Sequence, residues 1–274
     1  MELNTPYNKI CWLASHNAYA NSQEGWIYAQ QYLSLNEQFK RGVRCFLLDF
    51  HWYENTSCVV GPFSIGKDVR YMALMHGEDK TLNKLQYPHS PRKVSWLLNK
   101  VKLWLKNDPN AIITLIIEDY TGNEGHNKLI KMLKTRSLFD KCYVVEDNTS
   151  LTLNEMITTD KRLIIITSHN SELTRNSPIV MTNEILKENK FDLKKYPQGD
   201  EVLRLDGQLS LFNHFNSFNI PGSNYAKINA HKSIISRINK FKSKFGCYPN
   251  YIALDFLDQG DGQDVVDIIN TKNI

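Results

Sequence analysis

Arg44-Cys-Phe-Leu-Leu-Asp-Phe50 is a short apolar run broken near its end by one carboxylate. A strand with one face in water alternates apolar and polar residues, and this run does not alternate. Strands covered on both faces read this way, as in parallel sheets. Six further runs share the character: residues 10–14, 71–75, 111–117, 162–167, 208–212 and 251–256. All are rich in Val, Ile, Leu and Phe.

Helical periodicity lies between them. Residues 91–106 carry Val94, Leu97, Leu98, Val101 and Leu105 on one face, with Lys93, Lys100 and Lys106 elsewhere. Residues 233–245 carry Ile234, Ile238, Phe241 and Phe245 and stop at Gly246. Residues 30–41, 125–134 and 151–159 are weaker helix candidates. Strand and helix alternate along the whole chain, which predicts βα units around a parallel sheet. Seven or eight such units favour a (β/α)8-type TIM barrel, and no linker or repeat divides residues 1–274 into more than one domain. Neither G-x-G-x-x-G nor G-x-x-x-x-G-K-[ST] occurs, which excludes the main nucleotide-binding readings.

Composition is that of an ordinary globular chain. Of 274 residues, 42% are hydrophobic and 23% charged, which excludes a disordered chain, a collagen and a small disulfide scaffold. Lys and Arg number 33 against 29 Asp and Glu, too small an excess to argue for nucleic acid. The five cysteines are scattered without a C-x-x-C pair and read as free thiols of a reducing compartment. No run is apolar enough to span a bilayer, and Met1 is followed by no basic or apolar leader. A cytoplasmic or membrane-peripheral location is expected; a secreted chain stripped of its leader would read the same.

Polar residues collect at the C-terminal ends of the strands, where barrel active sites are built. They are Ser15, His16 and Asn17; Asp49 and His51; His76 and Gly77; Glu118 and Asp119; Asn213 and His214; and Asp255. Taken alone, a histidine after a strand is a loop or capping residue more often than a catalytic one. Trp26, Tyr28 and Tyr32 read first as packing, and the basic helix faces as solvated surface. The joint pattern is what points to chemistry. Histidines and carboxylates around one barrel axis are the inventory for acid–base catalysis near a cation.

These segments resemble a known family. Leu13-Ala-Ser-His-Asn-Ala-Tyr19 is similar to the S-H-N-[ST]-Y opening of the phosphatidylinositol-specific phospholipase C X domain. Gly42-Val-Arg-Cys-Phe-Leu-Leu-Asp-Phe50 resembles its G-[VC]-R-x-x-x-[LI]-D strand, and Leu74-Met-His-Gly77 its H-G turn. Ile113-Thr-Leu-Ile-Ile-Glu-Asp-Tyr120 and Pro249-Asn-Tyr-Ile-Ala-Leu-Asp-Phe256 are similar to later strands of its plant and bacterial relatives. Order and spacing match over essentially the whole chain.

The resemblance implies a distorted TIM barrel that cleaves the glycerol–phosphate ester of inositol phospholipids at a membrane surface. It assigns His16 to proton removal from the inositol 2-hydroxyl and His76 to protonation of the departing diacylglycerol oxygen. Asp255 lies where a closing-strand acid would orient and charge-balance His16. The reaction builds negative charge on phosphorus, which some family members offset with calcium and others with an arginine. Asp49 stands at that position here, so the metal form is expected. Asn17, Asp49 and Glu118 are the ligands implied, hard oxygen donors suited to Ca²⁺ or Mg²⁺.

The chain departs from the pattern at Leu47, where calcium-binding members carry a further acid. Asp119, substrate phosphate or water is expected to fill the gap. His51, His214 and Lys161 are candidates for head-group contact without a motif behind them. Docking to a peripheral membrane surface is expected through rim aromatics such as Trp26 and a basic helix face. Two alternatives stand beside the phospholipase reading. One is another phosphodiester hydrolase of the same barrel type, though the H-R-G opening of glycerophosphodiesterases is not matched by Ser15-His16-Asn17. The other is a catalytically dead lipid or head-group binding module, for which Leu47 speaks and the paired histidines do not.

Overall fold

The run that opens the sequence argument is the inner half of the longest strand in a computed structural model, which describes residues 2–55, 58–60, 63–65, 69–76, 91–145, 150–217 and 223–272. In chain order the strands are β1 (Trp12–Ser15), β2 (Cys45–Asn55), β3 (Cys58–Val60), β4 (Phe63–Ile65), β5 (Val69–Leu74) and β6 (Ile113–Asp119). They continue as β7 (Leu163–Thr167), β8 (Val180–Met181), β9 (Leu186–Asn189), β10 (Val202–Arg204), β11 (Leu209–His214) and β12 (Tyr251–Leu254). The helices are α1 (Leu35–Lys40), α2 (Val94–Asn107), α3 (Gly122–Thr135), α4 (Leu153–Thr158) and α5 (Glu172–Arg175). They end with α6 (Thr182–Ile185), α7 (Tyr225–Ile228), α8 (His231–Phe245) and α9 (Gly262–Lys272).

Eight strands run parallel in the order β9-β11-β12-β1-β2-β6-β7-β8, the wall of a curled α/β barrel. Among the described residues no ladder joins β8 to β9 or β10, so the wall stays open at a seam. There β10 lies antiparallel along β9.

Both faces of this wall are covered, which explains runs that do not alternate. Ala14, Ile116, Ile164, Ile166, Leu211 and Ala253 belong to one apolar cluster inside the barrel. Their chain neighbours Leu13, Leu115, Ile165, Phe212 and Ile252 belong to a second, packed under the helices. The periodic helices supply the other half of that second cluster. Helix α2 buries Val94, Leu97, Leu98, Val101, Trp104 and Leu105. Helix α8 buries Ile234, Ile238, Phe241 and Phe245 and ends at Gly246, whose φ of 74° makes the left-handed cap. Helix α4 starts on a reciprocal capping box between Thr152 and Glu155.

One expected barrel strand does not join the parallel wall. Of the run 71–75, read as a parallel stave, residues 71–74 fall in β5, antiparallel to the outer half of β2 from Phe50↔Leu74 to Asn55↔Val69, and Met75 follows it. No described helix crosses over between β2 and β5, and neighbouring strands without a crossover pair antiparallel. The missing staves are β8 and β9, two and four residues long, too short to show a period. The exchange matters for the site. Along one edge of β2 the partner changes from β1, at Cys45 and Phe46, to Met75 N–H donating to Asp49 C=O, and then to β5. The end of β5 therefore returns His76 to the mouth of the barrel beside Asp49. Gly77 lies outside the described residues.

Candidate active site

The C-terminal ends of the parallel strands surround a cavity of about 770 Å³. Strand β1 ends at Ser15, and His16 and Asn17 turn over its rim with Asn17 in the left-handed region at φ 41°. Asparagine tolerates that conformation better than other L residues. Buried Gln31 fixes the turn: its Nε2 donates to the carbonyls of His16 and Leu254 at 2.8 and 2.9 Å. The ends of β1 and β12 are thereby tied together, and Asp255 follows directly on β12.

Asp255 is 0% exposed and its Oδ1 accepts from His16 Nδ1 at 2.8 Å. A carboxylate only accepts, so the bond places the imidazole hydrogen on Nδ1 and leaves the Nε2 lone pair for a substrate. His16 lines the cavity and Asp255 sits behind it. Phe215 covers one face of the His16 ring, with centroids 3.6 Å apart and planes 7° apart.

The second histidine is built the same way from different elements. His76 Nδ1 lies 2.9 Å from Asp49 Oδ2, with Asn17 Nδ2 3.3 Å from the same nitrogen. Tyr19, buried under the turn, donates its hydroxyl to Asp49 Oδ2 at 3.0 Å. The Asp49 hydrogen bond holds the His76 imidazolium above its ordinary pKa, helped by the charges of Asp49, Glu118 and Asp255 and opposed by burial. The contact with Asp49 thus biases His76 to carry a proton.

Asp49 and Glu118 are register partners on β2 and β6, and both line the cavity with Asn17. Burial raises the Glu118 pKa, and the neighbouring Asp49 charge raises it further. Tyr120 donates to Glu118 Oε2 at 2.8 Å. Asn17 Oδ1, Asp49 Oδ1 and Glu118 Oε1 make no side-chain hydrogen bond among the described residues. In donor type these atoms fit a hard divalent cation. In number they fall short of the ~6–8 oxygens calcium takes, so a bound calcium would need water or phosphate to complete its shell. No group of three or more His, Cys, Asp or Glu able to hold a metal occurs among the described residues. Leu47 lines the cavity where a further acid was wanted. Asp119 does not replace it: its Oδ1 accepts from the Thr121 amide and hydroxyl at the start of α3.

The opposite wall was not legible in the sequence. Glu188 on β9 accepts from Arg204 Nη2 at 2.7 Å and Asn213 Nδ2 at 2.8 Å. Ser168, Asn170, Asn183 and Ser217 add neutral hydrogen-bonding groups. Arg204 is the sole Lys or Arg among the described lining residues. Glu188 and Arg204 come from strands too short to signal themselves. Of this wall, the sequence marks Asn213 alone, at the end of its apolar run.

The head-group candidates do not reach this cavity. His214 is 1% exposed and wedged under α8, accepting from Arg237 Nη1 at 2.8 Å and donating Nε2–H to the Ile228 carbonyl at 3.0 Å. Burial and the Arg237 charge push its pKa down to about 3. His51 is buried with its ring stacked on Tyr120. Lys161 precedes β7 at the far end of the barrel and donates to the Asp140 carbonyl. Trp26, expected at the rim, is 5% exposed and packs edge-on against Tyr19, whereas Ile27, Tyr28 and Tyr32 are exposed.

Fold and site together define an α/β barrel with two carboxylate-backed histidines at the mouth of its parallel strands. A sequence profile of the PI-PLC X family (PI-PLC X 1) matches residues 88–270, and the chain belongs to that family. The match includes Glu118 and Asp255 but begins after His16, Asn17, Asp49 and His76. PI-PLC X domain-containing protein 1 of Arthroderma benhamiae is 28% identical over 193 residues, 61% of this chain and 61% of that protein. A PI-PLC X domain-containing protein of Arabidopsis thaliana is 22% identical over 290 residues, 98% of this chain and 62% of that protein. The chain thus spans about three-fifths of the length of the curated relatives it matches. Among solved structures, phosphatidylinositol-specific phospholipase C of Staphylococcus aureus superposes with a TM-score of 0.59 at 14% identity, covering 99% of this chain and 95% of that one. The Listeria monocytogenes enzyme gives 0.58 at 15% identity, covering 100% and 96%. At such identities the likeness is one of fold. No helix among the described residues is long and apolar enough to cross a membrane.

Proposed function

We propose that the chain is a phosphodiesterase that cleaves the glycerol–phosphate bond of phosphatidylinositol-type lipids by attack of the inositol 2-hydroxyl. The carrying observation is the pair of histidines on one cavity, each with Nδ1 on a different carboxylate. His16 Nε2 takes the hydroxyl proton as the oxygen attacks phosphorus. His76 gives its proton to the diacylglycerol oxygen as that P–O bond breaks. The products are a cyclic inositol phosphate and diacylglycerol, and each histidine ends in the other's starting protonation state. Asp255 acts through His16, by holding its tautomer and balancing the charge it gains.

Asn17, Asp49 and Glu118 would hold a divalent cation, Ca²⁺ or Mg²⁺. When bound, it offsets negative charge that builds on the phosphate oxygens. The far wall suits a neutral polyol: Glu188, Asn170, Asn183 and Ser217 offer partners to ring hydroxyls, and Arg204 is already engaged by Glu188. Exposed Phe191 and Leu203 on the cavity lip favour contact with a lipid surface.

Phosphorus NMR of phosphatidylinositol vesicles with the purified chain tests this reading. A cyclic phosphodiester resonance should appear with calcium, weaken with chelator and vanish in His16→Ala. Activity that survives chelation would remove the cation from the proposal. No turnover by folded protein in any condition would overturn the reaction.

A further inference from the structure

We infer that Phe215 is a positioning residue for the base His16. The inference rests on the reaction proposed above and adds a part that no motif marks. Ser15 and His214 both pair in register with Leu254, one on each side of β12. The residues that follow them, His16, Asp255 and Phe215, therefore stand level at three adjacent strand ends. Asp255 holds the His16 Nδ1 edge at 2.8 Å, and Phe215 lies flat on the ring at 3.6 Å and 7°. Phe215 is 5% exposed and backed by Phe191, whose ring is 5.9 Å away and near parallel.

One hydrogen bond fixes one vertex of an imidazole. The ring can still swing about that contact and carry Nε2 away from the substrate hydroxyl. A rigid aromatic face against the ring removes this freedom and fixes the line along which Nε2 meets the cavity. The same face meets positive charge when His16 becomes imidazolium, an arrangement that the ring quadrupole favours. Phe215 also belongs to the interior apolar cluster, so a packing role alone must be distinguished. Packing alone would show in stability; positioning shows in turnover with substrate binding intact.

The experiment compares wild type, Phe215→Leu and Phe215→Tyr on phosphatidylinositol vesicles, with thermal unfolding of each and proton NMR of the His16 ring. Phe215→Leu keeps a buried apolar side chain and removes the aromatic face. Its kcat should fall about 10–100-fold, the scale of a small misplacement of a reacting group. Its KM should stay within about twofold. Phe215→Tyr keeps the face and should restore most of the rate. The ring-current shift of the His16 C–H protons should be present in wild type and Phe215→Tyr and lost in Phe215→Leu. A Phe215→Leu enzyme with full kcat overturns the inference, as does a loss that Tyr does not restore. If Phe215→Leu does not fold, Phe215→Met takes its place under the same criteria. Absence of the ring-current shift in wild type overturns the stacking itself. A wild type without turnover but with that shift overturns the proposed reaction, and the positioning role falls with it.

Discussion

Leu47 and Asp49 are alternate residues of β2, and both line the cavity. That spacing puts an apolar side chain where a second carboxylate would stand next to Asp49. Two carboxylates and one amide would give the proposed cation a weak, water-rich site, and ligand charge count is what tunes such affinities. Leu47→Glu should therefore tighten calcium binding by on the order of tenfold, about 1.4 kcal/mol. Calorimetric titration of the chain with calcium alone checks this without turnover. Asp49→Asn should weaken the same titration. If neither substitution moves it, the cation does not sit between β2 and β6. Residue types at strand ends were readable from sequence here, because Asp49, Glu118, His16 and Asp255 each close an apolar run. Asp119 shows the limit. It adjoins Glu118 in sequence, yet strand alternation turns it toward α3, where it binds Thr121.

Strand β11 shows the same limit at the scale of an element. Leu211, Asn213 and Phe215 line the cavity, and His214 between them faces α8. The sequence marked His214 because histidine is a catalytic residue type. It passed over Phe215, which has no chemistry of its own. Arg237 carried no signal either, since a charge on α8 reads as surface; here it is buried and donates to the His214 ring and to the carbonyls of Asn213, Pro197 and Tyr196. This inward polar pair predicts a stability profile. In the folded chain His214 stays neutral down to about pH 3. In the unfolded chain it takes a proton below about pH 6.5. The unfolded state then binds more protons, so stability falls as pH falls through that window, by about 1.4 kcal/mol per pH unit. His214→Gln offers an acceptor to Arg237 and a donor to Ile228 without titrating. Urea unfolding of both proteins between about pH 6 and pH 4 should show wild type losing stability faster by that slope. Parallel profiles would mean that His214 is protonated or exposed in the folded chain.

Across the whole molecule, the two ends of the barrel divide the work. The C-terminal mouth holds charged groups in a half-open cavity, and the opposite end is closed by the N-terminal segment. Tyr7 inserts there, and its hydroxyl meets Thr114 Oγ1 at 2.5 Å and the Tyr251 hydroxyl at 2.8 Å. Thr114 lies near the start of β6, and Tyr251 opens β12. All three are buried, and burial raises the Tyr7 pKa, so the group is a neutral hydrogen-bonding plug. Only the alternation of strands and helices was needed to foresee the barrel. The plug was not foreseeable, because a tyrosine before the first strand carries no period and no motif. In barrels of this kind the far end serves stability and the strand C-termini serve chemistry. Tyr7→Phe should therefore lower stability by about 1–3 kcal/mol, the cost of leaving buried hydroxyls short of a partner. Its kcat on phosphatidylinositol vesicles, measured well below the lowered melting temperature, should match wild type. His16→Asn should do the reverse: it removes the base and abolishes turnover, while its amide can still donate to buried Asp255 and limit the loss of stability. A Tyr7→Phe protein that keeps its stability would show that the plug is not a structural anchor. One that melts as expected but also loses kcat would show that the two ends of the barrel are coupled.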